Sequence, residues 1–309
     1  MKYITETERI YLREFNPEDA RHIFELHKDE DVVRFTGDRV KTLKEAGHEI
    51  TQLSGSYKKY GFGRWAVIRK RDESFLGWCG LTYYPDLARV EVGFRFNKKF
   101  WGQGFATEAT KSVISYGFSS IKLSKIYAHA HKLNKSSLKV MEKCGFTKIK
   151  EFEYNDVPVY LYVKKNPDLL IEFISAQETF QVRHPVLRPG RPLETCVFEG
   201  DDLKSTFHLG AFYNKNLVGV VTMMKSAEKT ENVFQLRGMA VLDDYQKKGI
   251  GEELVCHAEE EVRKKGGTSV WMNARQVALN FYMKLGYEKF GEKFYIPKIG
   301  AHYKMKKKL

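Results

Sequence analysis

The chain has 309 residues, which is enough for about two domains. Hydrophobic residues make up 42% of the sequence and charged residues 29%, a balance that excludes fibrous and intrinsically disordered proteins. Lys and Arg number 52 and Asp and Glu 39, a net charge of +13. We therefore expect a ligand or partner with negative charge: a nucleic acid, an anionic lipid or a phosphorylated cofactor.

The four cysteines lie 65, 52 and 60 residues apart along the chain. This spacing excludes a zinc ribbon and a disulfide scaffold, so we predict buried, reduced thiols and no metal site. The longest apolar run, residues 217–224, is much shorter than the ~20 residues of a transmembrane helix. The amino terminus is charged where a signal peptide is apolar, so we expect a soluble, cytoplasmic protein without a membrane partner.

The predicted elements of the first half begin with a strand at 9–15, where apolar and polar residues alternate. Asn16 followed by proline then predicts the start of a helix. Apolar residues recur every three or four positions after Gly104, which predicts a helix, and a second helix is predicted at 136–143 before Gly145. Further strands are predicted at 65–69, 74–84, 90–96 and 125–131.

The second half repeats this order of elements. Apolar residues between Ile250 and Val262 fall on one face of a helix, and another helix is predicted at 277–284 before Gly286. Alternating strands and helices predict an α/β fold with a sheet in each half. The strands of this half are predicted at 207–213, 217–225, 235–241 and 269–274.

Two short motifs occur once in each half. Trp101-Gly-Gln-Gly-Phe-Ala106 corresponds to Gln246-Lys-Lys-Gly-Ile-Gly251. Downstream, Met141-Glu-Lys-Cys-Gly-Phe146 corresponds to Tyr282-Met-Lys-Leu-Gly-Tyr287. The spacing between the motifs is similar in the two halves, so we interpret them as an internal repeat of domain size.

The repeat predicts two related domains in tandem, at residues 1–165 and 166–309. The boundary lies in a polar stretch that ends at Pro167, a residue that does not continue a strand.

In each copy a glycine turn joins a predicted strand to a predicted helix, with Gly102 and Gly104 in the first and Gly249 and Gly251 in the second. Glycine adopts positive φ and lets the backbone approach a ligand closely. The first amides of the helix have no partner inside it, so the turn suits a pyrophosphate. A tight turn without a ligand is the alternative. Neither copy contains a P-loop or a complete Gly-x-Gly-x-x-Gly motif.

These elements and motifs resemble the GNAT N-acetyltransferases, whose cofactor motif is Gln/Arg-x-x-Gly-x-Gly/Ala after the fourth strand. Gln246-x-x-Gly249-x-Gly251 matches this motif in full, whereas Trp101-x-x-Gly104-x-Ala106 has Trp at the first position. The first half, with Asn134-x-x-Ser137, resembles the subgroup that acetylates ribosomal-protein amino termini. The second half, with its 278–287 segment, resembles the general acetyltransferase subgroup.

The resemblance implies two tandem domains of α/β fold. Each would have a mixed, mostly antiparallel sheet flanked by helices, with a splay between strands 4 and 5 that admits acetyl-CoA as the cosubstrate. The implied reaction transfers the acetyl group to a primary amine, on a protein N-terminus or a small molecule, by direct attack through a tetrahedral intermediate. The cofactor-binding residues implied in the first domain are Phe94, Phe96, Trp101, Gly102, Gln103, Gly104, Phe105, Ala106, Thr107 and Asn134. Those implied in the second are Met239, Val241, Gln246, Lys247, Lys248, Gly249, Ile250, Gly251 and Asn280.

Three residues are candidates for catalysis. An alkyl amine with a pKa near 10.4 must lose a proton before it attacks, and Glu91 on the fourth strand is the candidate base, with a surface carboxylate as the alternative. Tyr282 matches the family tyrosine that protonates the CoA thiolate, with helix packing as the alternative. Met141 occupies its place in the first domain and cannot donate a proton, so Ser137 is the proposed substitute.

Other polar residues of the predicted strands have less definite roles. His129 and His131 share one face of a strand and could line the acceptor cleft, but we expect them to be exposed or satisfied by partners. No third metal ligand accompanies them. Arg237 lies near the position of Glu91 in the second domain, and a guanidinium is not a base. The remaining base candidates there are His208, Glu194 and Asp201.

Two other functions are consistent with the sequence. One or both domains could keep the fold as a CoA- or substrate-binding or structural module without activity. Nucleic-acid binding could use the net charge and the lysines at 304–308, but the basic residues are scattered and no recognition motif is present, so we do not expect it. We expect the loops at 36–60 and 183–202 to select the acceptor.

Overall fold

The structure of the chain is a computed structural model. It divides the chain into two compact units, Met1–Asn166 and Pro167–Leu309. The structure describes residues 3–36, 40–154, 156–226, 232–297 and 299–309.

The described part of the first unit forms an eight-stranded sheet with five α-helices. The strands are β1 Thr5–Glu6, β2 Ile10–Arg13, β3 Arg64–Arg69, β4 Ser74–Tyr84, β5 Arg89–Phe96, β6 Lys125–His131, β7 Thr147–Tyr154 and β8 Val157–Lys165. The helices are α1 Ala20–Lys28, α2 Glu30–Val33, α3 Leu43–Tyr60, α4 Phe105–Ser119 and α5 Lys135–Lys143. The strand order is β1-β2-β3-β4-β5-β6-β8-β7, and only β5 and β6 are parallel neighbours in it.

The second unit has a seven-stranded sheet and three α-helices within the described ranges. The strands are β9 Leu169–Ile174, β10 Phe207–Tyr213, β11 Asn216–Lys225, β12 Val233–Val241, β13 Ser269–Arg275, β14 Glu288–Ile296 and β15 Gly300–Lys308. The helices are α6 Phe180–Leu187, α7 Ile250–Lys264 and α8 Leu279–Lys284. The strand order is β14-β15-β13-β12-β11-β10-β9, in which β12 and β13 form the parallel pair. The predicted mixed, mostly antiparallel sheets are therefore confirmed.

Each unit buries its own core. In the first, Ile10 of β2 and Trp65 of β3 pack with Val113 of α4. In the second, α7 contributes Leu254 and packs against β10, β11 and β12. The other face of this second sheet is covered by α6, whose Val182 is fully buried.

Several segments differ from their predictions, two of them near the start of the chain. The first acceptor loop, predicted at 36–60, contains the 18-residue helix α3, which begins after Thr42 and ends at Gly61 with a φ of 77°. Its buried residues share one helical face, a signal that the sequence carried: Ala46, Ile50, Leu53 and Tyr57. The predicted start of a helix after Asn16 is a three-residue 3₁₀ turn with a capping box, and α1 begins only at Ala20.

The lysine-rich stretch at 304–308 is not a solvated tail. It belongs to β15, which lies between β13 and β14. Met305 is fully buried, and Lys307 donates to the Glu259 carboxylate of α7 at 2.6 Å. These lysines are therefore part of the second sheet. No helix of the described chain is both long enough and apolar enough to cross a membrane.

Candidate active site

In both units the two parallel strands separate after a short paired stretch. β5 and β6 share one register pair, Glu91 with Tyr127. β12 and β13 share three, the last of which joins Gln235 with Trp271. Beyond these pairs, each strand has backbone groups without a ladder partner on the side of the gap, which we call the splay. An extended ligand can add to such an edge through backbone hydrogen bonds. The predicted splay is confirmed in both units.

The backbone that borders each splay carries residues predicted to bind the pantetheine arm. Phe94 and Phe96 follow the last pair of β5, and on the other side of β5 the pairing with β4 is continuous. Met239 and Val241 hold the same place in β12. All four residues thus lie at the edge where an added strand would bind.

β5 and β12 differ in the segment that borders the splay. In β12 a bulge places Gly238 and Met239 opposite the single residue Val221. Gly238 has a φ of 54°, and a Cβ there would lie 2.6 Å from Arg183 Nε, so both backbone and space require glycine. β5 has no such bulge along its register with β4.

A glycine turn precedes the helix in each unit. Gly104 before α4 and Gly249 before α7 have φ of 84° and 86°. The first helical hydrogen bonds run from Glu108 N to the Gly104 carbonyl and from Glu253 N to the Gly249 carbonyl. The amides between them have no acceptor within the helix, and the helix dipole makes this end positive. The other predicted cofactor-binding residues of these turns and first helical turns are Gly102, Gln103, Phe105, Ala106, Thr107, Lys247, Lys248, Ile250 and Gly251.

The two turns are built alike although they differ at the first motif position. The Trp101 indole N–H donates to the Phe96 carbonyl at 2.8 Å. The Gln246 side-chain amide donates to the Val241 carbonyl at 3.0 Å. Each acceptor is the last residue of its strand, so Trp101 makes the contact that glutamine makes in the second copy.

Arg9, a residue that the sequence analysis did not single out, fixes the first turn from outside. Its guanidinium lies over the Phe105 ring at 4.4 Å and donates to the Gln103 carbonyl at 3.1 Å. It also donates through Nε to the Glu108 carboxylate at 2.7 Å. The sequence could indicate this role of Arg9 only in part, because its contact with Glu108 joins residues nearly 100 positions apart.

Glu91, the predicted base, lies at the point where β5 and β6 separate. It is 4% exposed, and its carboxylate accepts from Arg89 Nε at 2.5 Å. Its second oxygen lies 2.5 Å from Nδ1 of His129, whose ring is flanked by Phe152 and Tyr154. Glu91 is therefore one member of a carboxylate–imidazole pair.

His131, the second histidine of β6, has a hydrogen-bond partner close to it in the sequence. His131 Nδ1 accepts from the amide of Leu133 at 3.0 Å. As expected from the sequence, both histidines have partners. Groups of three or more His, Cys, Asp or Glu that could hold a metal ion are absent from the described residues.

The predicted proton donors lie in the helices that follow the splayed strands. Tyr282 of α8 is 6% exposed, and burial raises the pKa of its phenol. A tyrosine in this state stays protonated at neutral pH and can donate a proton. Asn280, two residues earlier, is exposed.

In the first unit the same region is arranged differently. Asn134 caps α5 by accepting from the Ser137 amide at 3.1 Å, and Ser137 is half-buried in the first turn of the helix. Met141, which takes the place of Tyr282, is 3% exposed and belongs to the core. Asn134 therefore has a structural role in positioning Ser137.

The base candidates of the second unit are mostly engaged. The Asp201 carboxylate is paired with Arg183 at 2.5 Å, and both side chains are buried. His208 contacts the Thr222 hydroxyl at 2.7 Å, and burial lowers the pKa of its imidazole. Glu194 is exposed in the 3₁₀ turn after α6.

Both units match families of known proteins. A family model described as "Acetyltransferase (GNAT) domain" matches residues 9–147. A second, described as "Acetyltransferase (GNAT) family", matches residues 173–287. Together they cover most of the chain.

Individual proteins match about half of the chain. The uncharacterized N-acetyltransferase YitI of Bacillus subtilis is 38% identical over 144 residues, which are 46% of this chain and 97% of that protein. The FsC-acetyl coenzyme A-N(2)-transacetylase of Aspergillus fumigatus is 30% identical over 156 residues, which are 47% of this chain and 66% of that protein. The solved structure of a GNAT-family acetyltransferase from Bacillus anthracis is 25% identical, covers 52% of this chain and 98% of its own, and has a TM-score of 0.47. The chain thus belongs to the GNAT family and is an N-acetyltransferase with two acetyltransferase domains in tandem.

Proposed function

We propose that the chain transfers the acetyl group of acetyl-CoA to a primary amine by direct attack. The observation that carries this proposal is the duplicated arrangement of a splay between parallel strands and a glycine turn at the start of the next helix. The helix amides suit the pyrophosphate, and the strand edge suits the extended pantetheine arm. Acetyl-CoA has both groups in this order.

In the first unit, Glu91 and His129 would act as one base. Arg89 and His129 engage the two carboxylate oxygens of Glu91, which orients the imidazole through Nδ1. Nε2, the ring nitrogen of His129 that does not face Glu91, is then the atom that takes the proton of the incoming amine. The deprotonated amine attacks the acetyl carbonyl, the C–S bond breaks, and Ser137 protonates the thiolate.

In the second unit, Tyr282 would protonate the thiolate. Burial keeps its phenol protonated, and the aromatic rings of Phe281 and Tyr287 hold it at 4.9 and 5.8 Å between ring centres. An alkyl thiol has a pKa near 8.5, so protonation assists its departure without being indispensable. The printed name of the Aspergillus fumigatus relative, an N(2)-transacetylase, supports an amine as the acceptor.

The test measures binding of acetyl-CoA by calorimetry and release of the CoA thiol with a panel of primary amines. Glu91→Gln should lower thiol release by the first unit about 100-fold, and Tyr282→Phe should lower release by the second by up to about 100-fold, the scale of general acid–base catalysis. The matched controls are Glu25→Gln on α1 and Tyr295→Phe on β14, both exposed. A chain that binds no acetyl-CoA would contradict the proposal.

The variants also address the alternative that one unit is inactive. That unit would keep the fold as a CoA- or substrate-binding or structural module, and the engaged base candidates around Asp201 favour the second unit for this role. Thiol release that survives Tyr282→Phe but not Glu91→Gln would assign the chemistry to the first unit. The reverse result would assign it to the second.

A further inference from the structure

Three guanidinium groups of the second unit surround one phenyl ring. Arg183, Arg188 and Arg237 lie 4.3, 5.4 and 5.5 Å from the centre of the Phe198 ring. Arg183 belongs to α6, Arg188 directly follows α6, and Arg237 belongs to β12. A fourth, Arg275 at the end of β13, donates to the carbonyl of the last residue of α6 at 3.5 Å. We call Arg188, Arg237 and Arg275 the arginine cluster.

The arginine cluster borders the second splay on the side away from the glycine turn. Val182 of α6 packs with Ala240 on one face of the sheet, whereas Leu254 of α7 packs on the other. Arg237 and Arg275 follow the last paired residues of β12 and β13 by two and four positions. The charges therefore flank both sides of the gap, on the α6 face.

The charge of the arginine cluster is only partly balanced by carboxylates. Asp201 is paired with Arg183, through contacts of 2.5 and 3.3 Å, and acts on Arg237 only at longer range, as does Glu199. Arg188 and Arg237 donate to backbone carbonyl groups, and the described ranges offer neither of them a carboxylate partner. Burial lowers the pKa of both guanidinium groups, which is the effect of holding positive charge in a poorly solvated place.

We propose that the acceptor side of the second unit binds an amine that also carries a phosphate or carboxylate group, held by the arginine cluster. This inference rests on the proposed function. Guanidinium groups bind such oxyanions through paired, charge-assisted hydrogen bonds. In the first unit the splay begins instead at the Glu91 carboxylate, which is paired with Arg89 and His129. The two units would then differ in the acceptors that they select.

A purely structural role for these arginines makes a different prediction. Arg188 and Arg237 both donate to carbonyls of the segment between α6 and β10, so they could merely hold that segment in place. Their removal would then weaken every acceptor to the same degree. An anion-binding role weakens only acceptors with a negative group.

The test compares matched amines in the Glu91→Gln background, where the first unit is impaired. Phosphoethanolamine is compared with ethanolamine, and β-alanine with β-alaninamide, by the rate of CoA thiol release. The anionic member of at least one pair should have a KM about tenfold lower, the effect of a hydrogen bond to a charged group, and the preferred pair distinguishes phosphate from carboxylate. Arg237→Gln should abolish this preference with kcat unchanged, and Arg237→Lys should restore part of it.

Arg263→Gln on α7 is the matched control and should change neither KM, since Arg263 is half exposed on the other face of the sheet. Equal KM values within both pairs, or an equal rise of KM for both members in Arg237→Gln, would overturn the proposal. If no amine releases thiol, the proposed function of this unit fails, and anion binding by the arginine cluster is then tested by calorimetry with inorganic phosphate in the presence of saturating CoA. Phosphate binding that is lost in Arg237→Gln but kept in Arg263→Gln supports an anion site at the arginine cluster, and absence of phosphate binding to the parent chain contradicts it.

Discussion

His27 shows how a single buried side chain supports the first splay. Its Nδ1 accepts from the amide of Val40 at 3.0 Å, and its Nε2 lies 2.7 Å from Arg95 Nη1. Burial, reinforced by the Arg95 charge, lowers the pKa of the imidazole to about 4. Arg95 lies between Phe94 and Phe96 in β5, so the neutral histidine connects α1 to the strand that borders the splay.

This burial makes the stability of the first unit depend on pH. An unfolded histidine titrates near pH 6.5, so below that pH the unfolded chain binds a proton that folded His27 does not. The free energy of unfolding should therefore fall as the pH falls from 6.5 towards 4, by about 3 kcal/mol from this group. Urea unfolding at several pH values measures the slope. His27→Gln should reduce it and His48→Gln, an exposed change, should not. A variant curve parallel to that of the parent chain would contradict the assignment.

The sequence identifies candidate functional residues better than it predicts the side chains that they contact. Glu91 is recognisable as a strand carboxylate, but its contact with His129 depends on the alignment of β5 with β6, 38 positions further on. Asp201 is likewise a base candidate in the sequence, and only the fold places it against Arg183. Long-range pairing of this kind leaves no local pattern.

Among the elements, the two long helices that follow a glycine turn are predicted well, and the largely exposed edge strands poorly. α4 and α7 follow from their periodicity and the preceding glycines. β7 and β14 were missed because almost every residue in them is at least partly exposed, so they lack the alternating burial that identifies a strand. The helix α3 was missed although its buried face is regular.

Two glycines in helical elements should respond oppositely to alanine. Gly55 lies inside α3 with open space around its Cβ position, so Gly55→Ala should raise the free energy of unfolding by about 1 kcal/mol. Gly104 has a φ of 84°, so Gly104→Ala should lower it by about 1–2 kcal/mol and weaken acetyl-CoA binding by the first unit. Denaturant unfolding and calorimetry measure both effects. Similar stability changes in the two variants would argue against the left-handed cap.

For the whole molecule, the duplicated architecture is the feature that the sequence revealed most directly. Two matched motif pairs at similar spacing predicted tandem related domains, and each half has its own sheet with one parallel strand pair. The acceptor specificity was not predictable, because it depends on side chains brought together from separate elements. The proposed arginine cluster, for example, combines the residue after α6 with one residue each of β12 and β13.

The duplication predicts two CoA molecules bound per chain. Calorimetry with the full chain should give a stoichiometry of two, and affinity should fall as salt rises because the ligand is anionic and the chain carries a net charge of +13. Gly104→Asp should reduce the stoichiometry to one, and so should Gly249→Asp, since each places a carboxylate at one turn. A stoichiometry of one for the parent chain would mean that one of the two units does not bind CoA.

The hydrogen bond from Trp101 to the end of β5 has a practical consequence. It fixes an indole, 46% exposed, at the turn of the first unit, whereas the matching position of the second unit holds a glutamine without fluorescence. The other three tryptophans, Trp65, Trp78 and Trp271, belong to strands rather than to either glycine turn, so replacing them with phenylalanine leaves a single indole at the turn of the first unit. Emission from Trp101 in that background offers a label-free way to follow ligand binding at the first turn while the second unit is also being filled.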